Sequence, residues 1–217
     1  MNIHDFPEEF KEEDVSRIHE LIFAKQHLLA KQYVEIESKN GLRWDTAMPL
    51  NLNSAKAQAQ LKDFAWRVTE ELGESLEAWF ESEAESNRDL SEHLIHSKEE
   101  LADGLHFLVE YGILINFPLS KLKEIDLLQL KNKNFQALFD EKVVDFILTW
   151  GITQNCLKNK PWKQTQYETD KTKLSELYYR SYINYFRIML HSMTPLEILN
   201  YYFRKSKVND FRIKSKY

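Results

Sequence analysis

Between Ala55 and Phe80 the chain repeats apolar residues at spacings of three and four, Leu61, Phe64, Ala65, Val68, Leu72, Leu76 and Trp79, with no proline to interrupt them. That period lines one stripe of a long α-helix and does not suit a strand, whose side chains alternate. The same period runs from Glu13 to about Ser38 through Val15, Ile18, Leu21, Ile22, Leu28, Leu29, Tyr33 and Ile36, and Asn40-Gly41 supplies a stop. A third helix is expected from about Ser97 to Asn116, ended by Phe117-Pro118. Five Gly and five Pro leave few turns for a β architecture, so the fold class is all-α: a helical bundle with no significant β-sheet.

Residues 41–55, with Pro49, Asn51 and Asn53, form a connection, and 81–96 a loop or short solvated helix. Residues 119–150 have the pattern of a further helical pair. At 151–172 the text turns basic, amide-rich and broken by Pro161, which makes 153–172 loop-rich with exposed chemistry. Helical spacing resumes from Leu174 to His191, and Thr194-Pro195 has the form of an N-cap followed by a first-turn proline. The tail 203–217 is basic and aromatic. A hydrophobic content of 43% fills one core, so 1–217 is expected to be a single domain.

Charge excludes more than it assigns. A net −5 from 34 acidic and 29 basic residues, well mixed, gives no global footprint for nucleic acid or for a membrane surface. No apolar run reaches the roughly 20 residues needed to span a bilayer. Asp5, Glu8, Glu9, Glu12 and Glu13 stand where a signal peptide is basic and apolar, so a cytoplasmic protein is expected. Cys156 is the one cysteine, which rules out an intrachain disulfide and a cysteine-based zinc site.

The acids are where chemistry concentrates. Glu71 and Glu74 are one helical turn apart, and so are Glu100 and Asp103; each pair can converge on one ion. The third helix carries Leu101, Leu105, Leu108 and Ile115 on one side, with Phe107, Tyr111 and Leu114 on the side of Glu100 and Asp103. A helix apolar nearly all round is buried on both faces, and carboxylates there must be neutralised, paired or bound to metal. The competing reading is an ordinary solvated acidic face.

The segments EELGESLEAWF and EELADGLHFLVEYG resemble the dimeric, all-α dUTPase family and its MazG-like relatives. Glu71-Leu72-Gly73-Glu74 and Glu100-Leu101-Ala102-Asp103 supply the family's ExxE and ExxD, and Gly104-Leu105-His106-Phe107 resembles the dUTPase continuation. Lys205, Asn209, Arg212 and Tyr217 match the spacing of a C-terminal motif that closes over the nucleotide. The resemblance implies a homodimer and about two or three Mg²⁺ ions, with Mn²⁺ as a substitute, on Glu71, Glu74, Glu100 and Asp103. Glu71 or Glu74 then orients or deprotonates the attacking water. Gln26 matches one of the two amides the family offers to uracil; Leu29 stands where the second is expected.

Trp79 and Phe107 either stack on a base or pack in the core, and His106 either bonds the nucleotide or is a buried, satisfied histidine. Lys25, Tyr33, Glu35 and Glu37 are further first-helix contacts to weigh against a plain surface face. Lys158, Asn159, Lys160, Pro161, Trp162 and Lys163 form either a phosphate-closing or partner loop, or an ordinary exposed one. The aromatic residues Tyr178, Tyr179, Tyr182, Tyr185, Phe186, Tyr201, Tyr202 and Phe203 offer apolar surface for dimerisation. The activity expected is hydrolysis of dUTP to dUMP and pyrophosphate. The alternatives are a MazG-like pyrophosphatase of dCTP, modified or mixed triphosphates, and a non-catalytic helical interaction protein.

Overall fold

A computed structural model describes residues 6–7, 9–39, 45–83, 92–134 and 139–215. Among them are seven α-helices and no strand: α1 (Ile18–Lys39), α2 (Ala55–Glu83), α3 (Glu92–Leu114), α4 (Leu127–Asn134), α5 (Phe139–Asn155), α6 (Lys171–Ser192) and α7 (Pro195–Ser215). Short 3₁₀ segments, Glu12–Arg17 and Leu119–Leu122, precede α1 and α4. The Asn40-Gly41 stop expected after α1 lies outside the described residues.

The element order follows the apolar periodicity, and the differences have local causes. α3 starts at Glu92, before the expected Ser97, because Leu94 and Ser97 are buried against α2, where the Ser75 and Ser97 hydroxyls meet at 2.9 Å. It ends at Leu114 with Asn116 at φ 56°, while the Phe117 N–H donates to the Gly112 carbonyl (2.9 Å). That is a left-handed C-terminal cap, which asparagine tolerates. Residues 203–215 continue α7 as one helix. The Thr194 cap forms as expected: the Glu197 N–H donates to Thr194 Oγ1 (3.1 Å), and the Thr194 N–H donates back to Glu197 Oε2 (2.7 Å).

The 158–170 loop is exposed from Pro161 to Glu168, as its composition indicates, and is tied down at its two ends. Asn159, 3% exposed, donates to the Asn53 and Tyr167 carbonyls and accepts from the Tyr167 N–H, and its own N–H donates to Gln58 Oε1.

α2 and α3 form an antiparallel hairpin, α5 and α6 a second, and α3 sits between α2, α6, α7 and α1. Its depth is set by two tyrosines of α6. Tyr185 and Tyr178 donate to the Leu101 and Leu108 carbonyls at 3.0 and 3.1 Å, and their rings fill the space left by Gly104 and Gly112. A Cβ at either glycine would overlap the tyrosine hydroxyl. Tyr178, Tyr182, Tyr185, Phe186, Tyr202 and Phe203 are all buried within their own chain. Tyr179 and Tyr201 are partly buried against the same core, so six of the eight aromatics expected to offer apolar surface for dimerisation are spent inside their own chain.

Candidate active site

The α2–α3 hairpin places the two acid pairs face to face. Carboxylate oxygens of Glu71, Glu74 and Glu100 lie within 4.8 Å of one another, with Glu100 buried, Glu71 half-buried and Glu74 exposed. Burial, a hydrogen bond shared with Glu100 and the charges of Asp103, Glu100 and Glu74 push the Glu71 carboxyl up to about 8. His96 Nδ1 stands 3.2 Å from Glu100 Oε1 at the rim. Asp103 is drawn to Lys205 of α7 (2.6 Å), and its carboxyl is raised by burial against the opposing pull of that ammonium. An all-oxygen set crowded enough to retain a proton near neutrality fits a hard divalent cation.

Beside these acids opens a cleft of about 460 Å³, in the size range of small-molecule sites. α1 contributes Gln26 and Tyr33, α2 Asp63, Phe64, Arg67 and Glu71, α3 Asp103, His106, Phe107 and Glu110, and α7 Asn209 and Arg212. Residues far apart in sequence are joined here by packing of α1 and α7 on α3, including the part-buried Lys25–Asp210 pair (2.6 Å) next to Gln26 and Asn209. Phe64 and Phe107 form a tilted aromatic pair on the wall, ring centres 6.2 Å apart.

Of the residues expected at the site, Glu71, Asp103, Gln26, His106, Phe107, Asn209 and Arg212 line the cleft, and Glu74 and Glu100 complete the acid group with Glu71. Trp79 does not line it: its ring stacks on Phe139 at 4.5 Å and meets His191 edge-on, so its packing reading holds over the base-stacking one. Its period on the buried stripe of α2 carries it inward. None of Lys158 to Lys163 lines the cleft, nor does Leu29, which is fully buried. Lys25 is spent on Asp210. Tyr217 lies outside the described residues.

His106 is buried, and burial lowers its imidazole to about 3, so the ring is neutral. Its Nδ1 is 2.7 Å from Gln26 Oε1 and its Nε2 3.2 Å from the Tyr202 carbonyl, so the ring is held between two acceptors.

Asp63, Phe64, Arg67 and Glu110 were not legible as site residues. Phe64 reads as core from its period, whereas Arg67, one turn before Glu71, and Glu110, two turns after Asp103, share helix faces with the acids. That shared face is the signal that could have found them.

A family model described as dUTPase matches residues 68–217. The chain belongs to the dUTPase family. It is thus a dUTP diphosphatase-like hydrolase of all-α fold. No curated protein and no solved structure gives a match. The matched region of this dUTPase family member contains both acid pairs and the basic face of α7, and α1 lies outside it. The cleft therefore joins matched helices to an unmatched one through Gln26 and Tyr33.

Proposed function

We propose that this protein hydrolyses dUTP at the α–β phosphoanhydride, water adding to the α-phosphorus to give dUMP and pyrophosphate. The observation that carries the reading is the grouping of Glu71, Glu74 and Glu100 within 4.8 Å, with Glu71 at the wall of a cleft that also holds Asp103, Arg67, Asn209 and Arg212. Glu71, Glu74, Glu100 and Asp103 would hold Mg²⁺, or Mn²⁺ in its place. The bound ions would neutralise phosphate charge and acidify a water. Glu71 or Glu74 would orient or take the proton of that water, Glu71 only after a bound cation has displaced the proton that its acid neighbours hold on it. Arg67 and Arg212, which line the cleft, draw the phosphates, and Lys205 would join them once a cation takes Asp103 from it, while Phe64 and Phe107 flank the base and Asn209 the nucleoside.

A panel of deoxynucleoside triphosphates, with and without Mg²⁺ and beside Asp103→Asn, tests this. Mg²⁺-dependent pyrophosphate release from dUTP, lost in the variant, is expected. Turnover of dTTP or dCTP as fast as dUTP would remove the substrate assignment.

The protein acts on free nucleotide in the cytoplasm as a homodimer, and a surface suited to pairing supports the second part. Val144, Ile147, Leu148 and Ile152 of α5 are 44–62% exposed on the side opposite its buried Phe146 and Trp150. Trp66 (63%) and Phe80 (54%), about four turns apart on α2, are also exposed, and α2 is joined to α5 by the Trp150 indole, which donates to the Ala65 carbonyl at 3.1 Å. These six side chains expose on the order of 500 Å² per protomer; two copies reach the roughly 1,000 Å² of a specific interface. Leu148→Glu is expected to shift the light-scattering mass from dimer to monomer.

A further inference from the structure

Away from the acid cleft the molecule carries one concentrated group of cations. From Leu157 to Tyr167 the chain has Lys158, Lys160 and Lys163 and no acid, and Lys62 of α2 stands against this segment, its ammonium donating to the Leu157 carbonyl at 2.9 Å. Burial, and then the charges of Lys160 and Lys158, hold Lys62 below the usual lysine range, so these cations crowd one another. Among the described residues no carboxylate pairs with any of the four: Lys158 donates to the Asn155 amide oxygen at 2.8 Å, and the Lys160 ammonium lies 5.3 Å from the centre of the Trp162 ring. The Lys163 N–H donates to the Lys160 carbonyl (3.0 Å), which closes a tight turn with Pro161 at its second position and brings the two lysines to either side of Trp162. That indole is 76% exposed, and Tyr167 is 51% exposed further along. The segment is fixed to the fold at both ends. Asn159 is buried beside Gln58 and Asn53, and Thr169 donates through its hydroxyl to the Leu52 carbonyl (2.6 Å) and through its N–H to Asn53 Oδ1 (2.9 Å).

We propose that the 158–167 loop together with Lys62 is a docking surface for single-stranded nucleic acid, the lysines taking phosphates and Trp162 stacking on an unpaired base. Four crowded ammonium groups without a counter-charge favour a polyanion, which releases its own condensed ions on binding. An acidic peptide would meet the lysines but brings no flat ring to the open face of Trp162, and a duplex keeps its bases stacked on each other. A single strand supplies phosphates and a π-face together. The net charge of −5 confines the contact to this patch, so binding is steeply dependent on salt. None of Lys158 to Lys163 lines the acid cleft, so a strand docks here without entering it.

Fluorescence anisotropy of a labelled oligodeoxyadenylate of about 12 nucleotides, titrated with the full chain in EDTA, tests this. Three or four phosphate contacts should weaken binding about 20- to 50-fold between about 50 and 200 mM salt. Trp162→Ala should weaken it at least about fivefold, and Lys160→Glu combined with Lys163→Glu should abolish it, with circular dichroism spectra unchanged, since these side chains lie outside the core. An excess of dUMP should leave the strand bound. No binding at the lower salt, or binding that neither variant moves, overturns the inference. So does polyglutamate or a duplex of the same length bound as tightly as the strand, or displacement of the strand by dUMP, which would place it in the cleft. A Trp162→Ala protein of lower light-scattering mass would make the loop a contact between copies of this chain and would overturn it as well.

Discussion

Glu74 on α2 stands in solvent beside Gly73, where an added Cβ would meet nothing, whereas Glu100 on α3 is buried one turn before Gly104, where a Cβ would overlap the Tyr185 hydroxyl. Both helices offer acids at the same spacing to the same cleft, but one is an accessible edge and the other a wedged core element. The difference teaches how a charged site is kept in register. Tyr178 and Tyr185 hold α3 at fixed depth through its own carbonyls, and α2 is then free to present Glu71 and Glu74 across the gap. Desolvation falls on the side that packing can hold rigid.

The comparison breaks most directly at the acids themselves. Glu74→Gln and Glu100→Gln should each lower kcat/KM by about 10³-fold, since ligand chemistry ignores which helix is buried. Their stabilities should part: Glu100→Gln removes a buried like charge and raises the melting temperature without Mg²⁺, while Glu74→Gln leaves it near wild type.

Gly104→Ala comes next. Overpacking against Tyr185, with Glu71 Cβ already 3.3 Å from the new methyl, should cost about 2–3 kcal/mol in urea unfolding and displace the acid group with it.

A smaller effect appears with pH. The folded carboxyl of Glu71 is raised from its ordinary 4.5 to about 8, so the native state binds more protons than the unfolded chain in that interval and stability falls as pH rises through it. His19 and His106, lowered to about 4 and about 3 by burial, act in the opposite sense and only below their ordinary 6.5. Between pH 6.5 and 8 the metal-free protein should therefore lose melting temperature as pH climbs, and Glu71→Gln should flatten that slope. The smallest effect is expected at Gly73→Ala, a gain of about 0.5–1 kcal/mol from helix propensity in open space. A loss there would mean that α2 is as crowded as α3.

Much of this arrangement is legible in the chain before folding. Apolar period assigns α1, α2, α3, α6 and α7, since each buries a stripe that recurs every turn, and the paired spacing of Glu71, Glu74, Glu100 and Asp103 marks the acid site. Phe64 shows where period misleads and Trp79 where it holds. Both sit on the apolar stripe of α2, yet the first reaches the cleft beside Phe107 and the second is sealed by Phe139 and His191.

The sequence by itself determined the helices, the acid pairs and the family, because these depend on spacing along one element. Only the tertiary structure decided that Lys205 holds Asp103, that Gln26 and Glu110 stand together, and that α6 spends its aromatics inside its own chain. Those outcomes depend on which helix packs on which, and at what depth, and no periodicity within a single helix encodes that.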